Sequence, residues 1–208
     1  MLTLSSAYAD GSNSTDGGVS NILNGQVNLN AQQATLNLAT NNVSGNIAGG
    51  SVAGGNAIDI TTMNNTNVSN NQYVGNTTIG ADTYAYVTNV AGTTNLQSQA
   101  ICNSASISMD PTSTNVSSYQ ECGASDPSAT MHATITNTNN DVSLGSTAVG
   151  NTMEEDTNAL YGNVTNTQLN HSAVNTSTNA TLSNIGGNVS ASATSIGNTG
   201  TIIHYTGN

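Results

Sequence analysis

The chain reads as all-β, a solenoid of short stacked strands, and three observations say so. Apolar and polar residues alternate over long stretches, as in Val189-Ser190-Ala191-Ser192-Ala193-Thr194-Ser195-Ile196; a period of two sends successive side chains to opposite faces of a strand. One phrase recurs, as Val74-Gly75-Asn76-Thr77, Val149-Gly150-Asn151-Thr152 and Ile196-Gly197-Asn198-Thr199. The apolar stock, 35% of residues, contains no Phe and no Trp. Aliphatic residues without large rings suit a narrow, layered core rather than a broad one. An antiparallel β-sandwich completed by a strand from a neighbouring subunit is the alternative. Parallel rungs would distinguish the solenoid from it.

The elements follow in order. Ala7-Tyr8-Ala9 before Asp10 has the small-x-small form of a signal-peptidase site, without a basic n-region or most of an apolar h-region. Residues 1–20 are therefore expected to be the remnant of a secretory signal and a polar linker, and residues 21–208 a β-repeat domain. Val27-Asn28-Leu29 and Ala34-Thr35-Leu36-Asn37-Leu38 begin the alternation. Tyr84-Ala85-Tyr86-Val87 is the most aromatic strand, and Ala133-Thr134-Ile135-Thr136 is a later one. Eight Gly-Asn pairs punctuate the chain at spacings near ten or its multiples. Gly and Asn both tolerate positive φ, so corners are expected at Gly75-Asn76, Gly150-Asn151 and Gly197-Asn198. Degenerate repetition of this kind is typical of stacked units.

Both cysteines, Cys102 and Cys122, and both prolines, Pro111 and Pro127, fall in one stretch. It predicts a protruding loop near 102–127 closed by a disulfide, the alternative being two free buried thiols. Closing such a loop contributes on the order of 3 kcal/mol in the chain-entropy model, and a disulfide points to an oxidising compartment. A lone cysteine pair is too few ligands for structural zinc.

Charge narrows the function. There is no Lys or Arg against eleven Asp and Glu, a formal net charge of −11. Phosphates cannot be neutralised, which excludes nucleic acid and anionic lipid surfaces as partners. No apolar run reaches the roughly 18 residues of a spanning helix. Glu154-Glu155-Asp156, the one acidic run, is expected to be a solvated turn. Asp59, Asp82 and Asp141 are candidates for a carboxylate pair on a solenoid face, but no nucleophile elbow accompanies the many serines. The reading is of no enzyme, no cofactor and no metal. His132, His171 and His204 are expected to be exposed or loosely packed. Sequons such as Asn67-Val68-Ser69 and Asn163-Val164-Thr165 are about as frequent as this composition supplies by chance.

The Gly-Asn-Thr phrases, together with Ala31-Gln32-Gln33-Ala34 and Asn95-Leu96-Gln97-Ser98-Gln99-Ala100, give a resemblance to curli-type β-repeat proteins. More specifically, the chain is similar to the holdfast-anchor proteins of stalked alphaproteobacteria, over most of 21–205. The curlin repeat, Ser-x5-Gln-x-Gly-x-Gly-Asn-x-Ala-x3-Gln, has no clean match. The resemblance implies export through an outer-membrane pore and a surface scaffold that fixes adhesive polysaccharide to the cell. Neutral polar faces suit polysaccharide, and open strand edges suit self-association or pairing with other surface anchor proteins. The expected protein is therefore extracellular, at the cell surface, and structural. A pilus or thread subunit assembled by strand donation is the second reading.

Overall fold

A computed structural model describes residues 19–110 and 113–205. The expected signal remnant and most of the linker lie outside them. The chain winds through four rungs of three strands each. The first holds β1 (Ser20–Asn28), β2 (Gln32–Val43) and β3 (Ile47–Thr62), and the second β4 (Thr66–Val74), β5 (Ile79–Val90) and β6 (Thr94–Met109). The third holds β7 (Ser113–Cys122), β8 (Ser128–Thr138) and β9 (Val142–Thr157), and the fourth β10 (Tyr161–Asn170), β11 (Asn175–Ile185) and β12 (Val189–His204). Each strand pairs with its counterpart one rung on, giving three four-stranded sheets. Every strand pair among the described residues is parallel. The fold is thus the β-solenoid, and the strand-donated sandwich is not its architecture. Ser20 pairs with Thr66, Thr66 with Thr114 and Thr114 with Gly162, so successive rungs on this sheet are offset by 46, 48 and 48 residues.

Alternation sets what lies inside. In β2 the side chains of Ala34, Leu36 and Leu38 are half-buried while Thr35 and Asn37 are exposed. Val87, Ile135, Leu96 and Leu144 fill the space between the second and third sheets. Val68, Val116, Ile107 and Met153 fill that between the first and third. Val74, Ile79 and Ala100 join the disulfide in the middle. No aromatic ring is needed, because each layer is only one strand spacing deep.

The third strand of every rung is long because it bends halfway, packing first on the second sheet and then on the first. Gly54 pairs with Ile101 and Asn56 with Asn103, leaving Gly55 and Cys102 out of register. The same break falls at Cys102/Gly150 and Gly150/Gly197. The inward phase shifts there, so that Ala53 and Asn56, three apart, are both buried. A Cβ at Gly55 would lie 2.4 Å from the Cys102 carbonyl oxygen, and one at Gly150 would lie 2.2 Å from that of Gly197. Close approach between rungs, rather than positive φ, therefore selects glycine. Among the described residues no glycine has positive φ. That conformation belongs to Asp126, at φ of 41°, and to Asn42, Asn89, Asn137 and Asn184, at φ of 53–58°, the last four being one position on four rungs that turns the chain toward the third sheet.

Two expectations are corrected. Gly75-Asn76 lies between β4 and β5, but Gly150-Asn151 and Gly197-Asn198 lie inside β9 and β12, because a one-residue bend lets the hydrogen-bond ladder continue on both sides. The 102–127 stretch is no insertion: Cys102 is in β6 and Cys122 ends β7. The two are disulfide-bonded, with Cα atoms 5.9 Å apart, and the bridge ties the second rung to the third through the core.

Candidate functional site

Two amide ladders run through the interior, between the core cluster at the disulfide and the one shared by the first sheet and the far half of the third. Asn56 donates to Asn103 (2.9 Å), Asn103 to Asn151 (2.7 Å) and Asn151 to Asn198 (2.8 Å). Each also donates to a main-chain carbonyl of the first sheet: Asn56 to Tyr73, Asn103 to Glu121, Asn151 to Leu169 and Asn198 to Gln168. Facing them, Gln168 donates to Gln120, Gln120 to Gln72 and Gln72 to Gln26, at 2.8, 2.8 and 2.9 Å. These glutamines donate in turn to third-strand carbonyls of Ala57, Ser104, Thr152 and Thr199. Buried amides are thereby satisfied, as a low-dielectric interior requires. The two ladders run in opposite directions along the axis. Only the Asn-after-Gly part of this was signalled in the sequence.

The outer faces carry neutral hydrogen-bonding rows. On the first sheet Asn115 donates to Asn67 (2.9 Å) and Asn67 to Asn21 (3.0 Å). With Ser69, Ser117 and Thr165 they line a shallow groove of about 330 Å³ along the axis. The Asn-Val-Ser/Thr triplets at 67, 115 and 163, which composition alone would explain, are thus one position on three rungs. A second outer ladder links Asn184 to Asn137, Asn137 to Asn89, and Asn89 to Asn41 and Asn42.

The second sheet presents something different. Its outward register aligns Asn37, Tyr84, His132 and Asn179 across the four rungs. The Tyr84 and His132 rings stack with centroids 5.2 Å apart and planes 8° from parallel. Two residues along β5, Tyr86 is 60% exposed, and Tyr84 is 45% exposed. On the neighbouring outward row the Thr130 hydroxyl donates to the Asp82 carboxylate.

The acids do not assemble a catalytic pair. Asp59 faces outward on β3, Asp82 outward on β5, and Asp141 accepts the Asn188 amide at 2.7 Å before β9. Among the described residues no three His, Cys, Asp or Glu gather as a metal site. The acidic run is strand, not a turn: Glu155 points inward in β9, is fully buried, and neither carboxylate oxygen has a hydrogen-bond partner. Burial holds its carboxyl above the usual carboxylate range and Asp156 adds to this, against the pull of His204. A single inward carboxylate among aliphatic neighbours left no trace in the alternation. His171 Nε2 lies 3.9 Å from Glu121, and His204 Nε2 is 2.6 Å from the Ala159 carbonyl.

Among the described residues both end rungs are open. β1, β2 and β3 form one set of free edges and β10, β11 and β12 the other. β12 is exposed along nearly its whole length, inward positions included. Among the described residues nothing covers either end. Among the described residues no helix is long and apolar enough to cross a membrane.

Searches of curated proteins and of solved structures found no match. The family described as HfaD, holdfast attachment protein D, matches residues 4–207. Its span takes in all four rungs, the bends of the third sheet, the amide ladders and the stapled cysteines. The chain belongs to the HfaD family of holdfast attachment proteins.

Proposed function

We propose that this protein is an extracellular, nonenzymatic anchor that fixes adhesive polysaccharide to the cell envelope and joins other surface anchor proteins through its end rungs. The observation that carries the reading is the outer surface: rows of Asn, Ser and Thr repeated rung after rung, with no Lys or Arg in the chain. Groups repeated at about 4.8 Å, the spacing between adjacent strands, offer a polymer of hydroxyls many weak hydrogen bonds, each exchanged against water. Many such contacts along one chain give avidity without a deep pocket. The open end rungs supply the other half of an anchor. Their backbone groups, unpaired among the described residues, are a template for another strand-stacked chain, and covering them would bury the inward side chains of β12. The staple and the buried ladders keep the body rigid between the two contacts.

The test is retention. Purified protein is passed over immobilised, deproteinised surface polysaccharide from the producing cells, and separately over envelopes of cells lacking the protein. Retention on both is expected, with antibody labelling on the outside of intact cells. A monomer that neither surface retains would sink the proposal.

A further inference from the structure

The second sheet sets two exposed tyrosines on one strand beside a stacked histidine, a grouping apart from the other large exposed side chains such as Leu23, Met63 and Tyr161. The chain has seven Tyr and neither Phe nor Trp. Two of the seven lie on one strand, two residues apart, both turned outward at 45% and 60% exposure. Along a strand that spacing is about 7 Å, so the rings stand side by side. Tyr84 leans on His132, which fixes its ring plane. Tyr86 is flanked on adjacent rungs by Ala39 and Thr134, both too small to cover the faces of its ring.

An aromatic ring has an electron-rich face and, for tyrosine, a polar tip. Its complement is a ligand with a partly positive C–H face and hydroxyls at its rim. Charge narrows the class further. Asp82, two residues before Tyr84 on the same strand, is held by Thr130, and the chain has no Lys or Arg to receive a carboxylate, sulfate or phosphate. An apolar protein surface would have to bury the flanking outward row of Asp82 and Thr130 and the amide of Asn37. A saccharide meets both requirements at once, since its ring faces are apolar and its edges hydrogen-bond. We infer that Tyr84, Tyr86 and His132 form a stacking platform for the uncharged sugar rings of a polysaccharide, with threonine and asparagine side chains of neighbouring rungs binding the hydroxyls. The inference deepens the attachment function proposed above and rests on it: it says where on the molecule the polymer is gripped and that uncharged units are what the site selects.

The test uses the full chain and the same deproteinised surface polysaccharide. Because there is no Trp, tyrosine supplies the intrinsic fluorescence, and its change on titration reports binding directly. The variants are Tyr84→Ser with Tyr86→Ser, His132→Ala alone, and Tyr161→Ser, an equally drastic change at a 73% exposed tyrosine on the first sheet. Circular dichroism and thermal melting verify that each variant folds; the His132 variant keeps the question decidable if the double variant does not. The double variant is expected to bind about tenfold more weakly or worse, and to lose most of the fluorescence change. The His132 variant should bind several-fold more weakly, and the Tyr161 variant should match the parent. Periodate cleavage of the sugar rings should abolish binding by the parent protein. If the parent binds and the folded double variant binds equally well, the platform is overturned while the attachment function stands. If the parent does not bind at all, the attachment function itself fails and takes the platform with it.

Discussion

Glu155 occupies the inward position that Ile60, Ile107 and Ile202 hold on the other three rungs. Its folded-state pKa is raised, so the native state binds the proton more tightly than the unfolded chain. The associated stability is complete below the ordinary carboxylate pKa of 4.5 and is lost as pH rises through the folded value. Glu155→Gln, and more so Glu155→Ile, should raise the melting temperature at pH 7 by an amount worth about 1–3 kcal/mol. The gain over the parent should shrink at pH 4; a gap independent of pH would show that the carboxyl titrates alike in the folded and unfolded chain. Asn103 gives the opposite case. It is fully buried, accepts from Asn56 and donates to Asn151 and to the Glu121 carbonyl. Asn103→Ala strands three partners at once and should cost about 2–4 kcal/mol in urea denaturation, whereas Asn21→Ala, at an exposed ladder end, should cost under about 1 kcal/mol.

Among the elements, the long third strands depend on what is allowed at their bend. A Cβ at Gly150 meets the Gly197 carbonyl oxygen at 2.2 Å, but at Gly197, on the last rung, the nearest atom is Asn170 Nδ2 at 3.4 Å. Gly150→Ala should therefore destabilise by about 1–3 kcal/mol while Gly197→Ala is nearly neutral, a contrast that thermal melts of the two variants would reveal. Reducing the Cys102–Cys122 bridge, 20 residues apart in sequence, should remove about 3 kcal/mol, read as a lower urea midpoint with reductant. What was legible here was the local rule: strand alternation, aliphatic layers and the cysteine pair all emerge from neighbouring residues. What was not legible was the rung. Gly-Asn pairs occupy unlike places, a corner at Gly75, mid-strand bends at Gly55, Gly150 and Gly197, and unbroken strand at Gly162, so counting them together mixes unrelated spacings toward ten. The period was present in Gln26, Gln72, Gln120 and Gln168, and in Asn67, Asn115 and Asn163, each aligned rung over rung. Side chains that meet only across some 47 residues leave no local pattern. The tyrosine platform was visible as a strand, but its partner His132 is brought beside it by the same unread period.

At the scale of the whole molecule, charge opposes what the open ends favour. Copies carrying −11 repel one another at neutral pH, and the isoelectric point is about 4.1. Raising salt from 10 to 500 mM should promote association by screening, as should approaching pH 4, with a shift to larger species in sedimentation velocity. Loss of association with salt would mean that the contacts are not through the backbone edges of the end rungs. The internal ladders also set a sense of stacking. The Asn ladder donates from the first rung toward the fourth and the Gln ladder from the fourth toward the first. Stacking the fourth rung of one copy beneath the first of the next continues both in register, so fibres would be polar rather than two-fold. The coil has a further consequence once an anchor is put under tension. Each rung stores some 47 residues within one strand spacing, and pulled out straight it would release roughly 150 Å of chain. A tether of this kind can yield rung by rung instead of detaching. The staple withholds the chain between its cysteines, which are 20 positions apart, so single-molecule stretching should reach a contour about 60 Å longer in reducing buffer than in oxidising buffer. Compartment redox would thus set how far the tether extends before its ends bear the full force.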